Sequence, residues 1–226
     1  MNSMLVKELY EIKANPLEYM EGEADLERLV SYIIGFSAAE AVYKINDDIV
    51  GKEFSDFVKK RHNIALETIQ WITALRWITA DDKSAFKRFY YELDSFINEN
   101  NKEIFSMEDN GAVSYAKQEK GIKPDLLCSH IENMRERPGM WLGTKDVERM
   151  YFFIKGFIKA ELIIHGIAKE HPFEGLTHNF TNFVRQVYNI KENVSWLKIL
   201  EFKSENKEEA LEKFYCLFDD YRKTFD

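Results

Sequence analysis

Apolar residues recur along this chain at three- and four-residue steps, the period that places side chains on one face of an α-helix. Leu26, Leu29, Tyr32, Ile33, Phe36 and Ala39 form one such stripe, and Met150, Phe153, Ile154, Phe157 and Ala160 form another. Asp25 and Asp146 stand where these helices open, as capping carboxylates that meet free amides and the positive end of the helix dipole. Similar periodicity predicts helices over 2–14, 53–61, 64–79 and 82–98, and again over 126–136, 174–188, 192–203 and 205–224. In the 64–79 segment Ile64, Leu66, Trp71, Leu75 and Ile78 are the expected inward positions, and Asp81 and Ser204 are the expected caps of the helices that follow. Strand-like alternation is confined to Ala112–Ala116, so the expected fold is all-α.

The second stripe repeats the first. Asp25-Leu26-Glu27-Arg28-Leu29, Gly35-Phe36 and Ala39-Glu40 return as Asp146-Val147-Glu148-Arg149-Met150, Gly156-Phe157 and Ala160-Glu161. Downstream, Phe54-x-x-Phe57-Val58 returns as Phe180-x-x-Phe183-Val184, and Asn63-Ile64 as Asn189-Ile190. Trp71 and Leu75 return as Trp196 and Leu200, and Ala85-Phe86-x-x-Phe89-Tyr90 as Ala210-Leu211-x-x-Phe214-Tyr215. The period is too long for a stacked solenoid and implies duplication of a domain-sized unit. The expected organisation is a first helical unit over 1–98, a polar linker over 99–125 and a second helical unit over 126–226, in a pseudo-twofold arrangement. Gly35 and Gly156 fall inside helices, where glycine costs about 1 kcal/mol relative to alanine. A glycine kept at that cost in both units predicts a close helix crossing.

Composition adds an electrostatic constraint. The 226 residues carry a net charge of -8, which opposes non-specific binding to nucleic acid or to anionic membranes and suits a basic partner. The acidity is concentrated in residues 1–98, with twelve basic and seventeen acidic side chains, whereas 126–226 holds fifteen and sixteen. The N-terminal residues lack the apolar segment of a secretory signal and no apolar run reaches membrane-spanning length, so a cytoplasmic location is expected. Cys128 and Cys216 occupy unrelated positions in the two units and are expected to be reduced.

The second unit opens with Arg137-Pro138-Gly139-Met140-Trp141-Leu142-Gly143, expected as a loop in which Met140 and Trp141 plug the core. This loop, the Gly-Phe helix after it, Trp196 and the C-terminal Phe-Tyr helix resemble small bacterial immunity proteins of polymorphic-toxin and contact-dependent growth-inhibition systems. The resemblance is best over 129–221 and weaker in the first unit, where Asn15-Pro16-Leu17-Glu18 replaces the motif. It implies an inhibitor that binds a cognate toxin, commonly a nuclease. It implies no catalytic residue; no cofactor or metal is expected, and the net charge of -8 argues against direct contact with nucleic acid or membrane.

Acids present in one unit only are the candidates for partner recognition, because the shared fold does not require them. They are Glu18, Glu21 and Glu23 in the first loop, Asp47 and Asp48 after the first long helix, and Glu108 and Asp109 in the linker. As unpaired carboxylates at loop tips they would steer a basic partner. The alternative is an enzyme, or a metal or small-ligand protein, with a site in the inter-unit cleft. His165, His171 and His178 would serve it, with Glu161 and His165 spaced four apart on one helix face. His62 and His130 stand isolated in the sequence.

Overall fold

The computed structural model describes residues 3–45, 49–100, 124–166 and 179–224. Among the described residues every regular element is a helix, twelve in all, with no strand. The first half contains α1 (Met4–Ala14), α2 (Pro16–Tyr19), α3 (Leu26–Val42), α4 (Lys52–Arg61), α5 (Trp71–Ile78) and α6 (Asp82–Glu99). The second contains α7 (Pro124–Glu136), α8 (Pro138–Trp141), α9 (Val147–His165), α10 (Asn179–Val187), α11 (Trp196–Phe202) and α12 (Lys207–Arg222). None of the described helices is long and apolar enough to cross a membrane.

The long helices α3 and α9 pack against each other at the centre. Their closest approach is at the two glycines: a Cβ on Gly35 would lie 2.0 Å from the Phe153 carbonyl oxygen, and a Cβ on Gly156 would lie 2.0 Å from that of Tyr32. No real side chain tolerates such contacts, so backbone meets backbone at this crossing. On either side of it, aromatic rings fill the core. Phe54, Trp71 and Phe89 sit with ring centroids 5.0–5.7 Å apart in the first half, and Phe180, Trp196 and Phe214 at 4.9–5.7 Å in the second.

Several helix boundaries differ from the sequence expectation, each for a local reason. The element expected over 64–79 is helical only from Trp71. Asn63 takes a left-handed conformation (φ 54°) and closes α4, with the Ile64 amide bonding back to the Lys59 carbonyl at 2.9 Å. Leu66, at 54 % exposure, and Ile78 therefore face outward rather than into the core. Asn189 (φ 53°) closes α10 in the same way, through Ile190 to Arg185 at 2.8 Å, and α11 starts only at Trp196. The last helix is capped by Asn206, whose side chain accepts from the Glu209 amide at 2.9 Å, rather than by Ser204.

Other corrections concern the linker and the second loop. Helix α6 runs through Glu99 and α7 begins at Pro124, so both ends of the 99–125 segment are helical. Residues 101–123, with Ala112–Ala116, Glu108 and Asp109, lie outside the described residues. The loop at Pro138 folds as a short helix in which Met140 is 63 % exposed and only Trp141 packs on the core.

Candidate functional site

Four helices begin around one recess, and the caps of three of them are the acids expected from the sequence. Asp25 Oδ1 accepts from the Arg28 amide at 2.9 Å, Asp146 Oδ1 from the Glu148 amide at 2.8 Å, and Asp81 Oδ1 from the Ser84 amide at 2.7 Å. The cleft between these starts has a volume of roughly 560 Å³, and its lining holds seven carboxylates and four cations. It is acidic because caps, first-turn acids and Glu23 converge there.

The walls are joined by two ion pairs between residues of the Asp-x-Glu-Arg motif that occurs at Asp25–Arg28 and again at Asp146–Arg149. Arg28, only 6 % exposed, crosses to Glu148 through Nε at 2.6 Å, and Arg149 crosses back to Glu27. The Arg28 guanidinium also donates to the carbonyls of Met20 at 2.6 Å and Glu23 at 2.9 Å, and its plane lies over the Phe152 ring, 5.5 Å from the centroid. Lys207 of α12 reaches Asp146 at 3.1 Å and Glu148 at 2.5 Å, while Arg76 of α5 bridges Glu27 and Asp82.

These contacts set the protonation of the floor. Burial works against the Glu148 carboxylate, but the Lys207 hydrogen bond and the Arg28 charge prevail and hold it below its ordinary 4.5. Asp25 goes the other way, raised by burial despite its amide contact. A carboxyl held low when folded contributes stability above its unfolded value and loses it as pH falls through its folded value. Glu148→Gln is therefore expected to be less stable than wild type at pH 7 and to converge with it well below pH 4.5. Thermal unfolding at both pH values measures this, and a gap that stays constant with pH contradicts it.

The site residues expected from the sequence divide into three groups. Glu18 is exposed on α2. Glu21 and Glu23 are not unpaired loop-tip charges. Glu21 accepts from the Tyr151 hydroxyl at 2.7 Å and pairs with Lys155 at 3.1 Å, which ties the first loop to α9. Burial opposes its charge, yet Lys155 and Tyr151 hold it low. Glu23 sits at the mouth of the cleft, 2.8 Å from Lys83 and 3.6 Å from Arg28. Asp47, Asp48, Glu108 and Asp109 lie outside the described residues, as do His171 and His178.

Sequence reasoning missed Glu27, Glu148 and their arginines by assigning the shared acids to capping alone. The available signal was the repeated Asp-x-Glu-Arg: an acid and a base that recur at the start of two helices can pair crosswise when those helices pack together. His62, isolated in the sequence, gains a partner in space. Its Nε2 lies 2.9 Å from Glu92 Oε1, on a fully buried carboxylate that Arg88 also meets at 2.6 Å and Arg61 at 3.3 Å. His165 packs edge-on against the Tyr43 ring, 5.0 Å between centroids. Among the described residues no three His, Cys, Asp or Glu side chains cluster as metal ligands, and neither Cys128 nor Cys216 is in a disulfide.

Chemically, the cleft offers carboxylate oxygens to guanidinium or ammonium groups, and among the described residues its lining holds no serine, cysteine or histidine. No protein-family model, curated protein or solved structure matches the chain.

Proposed function

We propose that this protein is a cytoplasmic immunity protein that binds and neutralises a basic, nuclease-like toxin, and that it binds rather than catalyses. The observation that carries this reading is the cleft, where seven carboxylates face four cations at the junction of the two halves. Such a field attracts a basic surface during encounter and pairs with its Arg or Lys on contact. The Arg-Pro-Gly-Met-aromatic loop at Arg137–Trp141 and the helices after it support the same family. Neutralisation would be stoichiometric: the bound protein covers the toxin's active site or substrate groove, and the cleft's acids compete for cations that otherwise hold a nucleic-acid backbone.

In this reading the two halves are copies of one helical unit, related by a pseudo-twofold axis through the α3–α9 crossing. The support is reciprocal. Long and short helices follow in the same order, each glycine meets the other helix's backbone, and each arginine of the repeated motif pairs with the other copy's glutamate. Lys13–Asp94 at 2.7 Å in the first half is answered by Arg135–Asp219 at 3.0 Å in the second.

The test is co-expression with the product of the neighbouring toxin gene. Co-purification at one-to-one stoichiometry and relief of toxicity are expected. Glu23→Lys reverses a charge at the mouth of the cleft and should slow association about tenfold at low ionic strength, with less effect in high salt. A pair that neither co-purifies nor relieves toxicity rules the proposal out.

A further inference from the structure

Beside the acidic cleft, and separated from it by the Lys83–Glu23 pair, lies a second recess of opposite character. It has a volume of roughly 680 Å³, and its walls are Pro16, Leu17 and Ala24 on one side and Phe86 and Tyr90 on the other. Leu17 is 61 % exposed at its edge. The charged groups of the recess are Lys13, Lys83 and Lys87 against Glu23 alone, a basic spot on a protein whose net charge is -8. Lys13 is engaged by Asp94 and Lys83 by Glu23, whereas exposed Lys87 has no acidic partner among the described residues. At the base, Tyr90 is 4 % exposed and its hydroxyl has no hydrogen-bond partner among the described residues. A buried phenol without a partner forgoes a hydrogen bond that an acceptor could supply.

The second half shows that the fold does not require these lysines. With Ala85-Phe86-x-x-Phe89-Tyr90 set against Ala210-Leu211-x-x-Phe214-Tyr215, Lys83 and Lys87 fall at the positions of Glu208 and Glu212. There the sign is inverted, and Lys145 reaches over to Glu208 at 2.7 Å. Leu17 corresponds to Gly139, so the apolar edge is also particular to the first half. The framework is shared, and the basic, apolar lining belongs to one half only.

We infer that this recess binds a small amphipathic carboxylate, its alkyl or aryl body against Leu17, Pro16 and Phe86 and its carboxylate held by Lys87. The recess is roomy enough to admit such a ligand with space to spare, and an apolar lining with a few polar groups is the ordinary construction of such sites. An ammonium–carboxylate contact fixes the orientation. The inference stands independently of the toxin partner, because it draws on a different recess of opposite charge.

Calorimetric titration of the full chain with sodium octanoate and with octan-1-ol at low ionic strength tests it. Octanoate is expected to bind at one equivalent with a Kd of roughly 0.1 mM, within the affinity a ligand of that size can reach. The alcohol should bind at least about tenfold more weakly, since it lacks the charge that Lys87 meets. Lys87→Glu, which installs the charge found at Glu212, should weaken octanoate about tenfold or more while thermal unfolding is unchanged, and Leu17→Asp should do the same from the apolar side. No octanoate binding by the wild type, equal binding of the alcohol, or undiminished binding by Lys87→Glu overturns the assignment.

Discussion

Gly156→Ala should destabilise the protein by about 3 kcal/mol or more, the upper end of what overpacking costs. The midpoint of thermal unfolding would then fall by roughly 6–12 °C for a chain of this size. In most helix interiors the same substitution gains about 1 kcal/mol, so the sign itself is diagnostic. The reason is geometric. The new methyl would lie 2.0 Å from the Tyr32 carbonyl oxygen and 2.9 Å from its carbon, and both belong to the backbone of a buried helix. No rotamer change relieves the clash; α3 and α9 must separate and give up packing along their length. Gly35→Ala presents the same conflict with Phe153 and should cost a similar amount. The double variant should cost less than the sum, because the first substitution already opens the crossing for the second. Urea unfolding of the three variants measures this, and a single variant at least as stable as wild type disproves the backbone contact.

Arg28→Ala carries the second large effect, about 3–5 kcal/mol, the range for removing one partner of a buried ion pair. Its loss removes the guanidinium donor from the Met20 and Glu23 carbonyls and leaves Glu148 dependent on Lys207 alone. Arg149→Ala should cost distinctly less, since Glu27 keeps Arg76 as a second partner. The asymmetry is informative, because the two arginines occupy equivalent positions of a repeated motif and differ in what remains after each is removed. A cycle combining Arg28→Ala with Glu148→Gln should recover part of the loss, since the neutral amide does not leave a charge without its partner. Equal losses at Arg28 and Arg149, or a loss at Arg28 below about 1 kcal/mol, would show that the cross-pairs contribute little to folding.

Much of the fold was legible because periodicity reports burial directly. The stripe from Leu26 to Ala39 and its counterpart from Met150 to Ala160 became the central helices, and the glycines within them foretold the crossing. Boundaries failed where one residue's backbone conformation decides the outcome. Asn63 and Asn189 end their helices by turning left-handed, and hydrophobic spacing carries no trace of that; Asn206 displaced Ser204 as cap by the same kind of local bonding.

The site was less legible because setting the halves side by side tells what each half needs within itself, whereas the cleft consists of what each supplies to the other. Glu27 looked sufficiently explained by a helix start, yet its charge is spent on Arg149 in the other half. Glu21 looked free because Tyr151 and Lys155, its partners, are more than a hundred residues away in the chain.

The meeting of backbones at Gly35 and Gly156 also determines how the cleft can select. With no side chain between the helices to change rotamer, the spacing of the walls they carry is a fixed gauge rather than an adjustable jaw. In the proposed binding role a group that fits would be received without the ordering cost of closing the helices around it. A broader one would meet helices that do not part and could displace only side chains such as Lys83 and Lys207, so discrimination would rest on dimension as well as on charge.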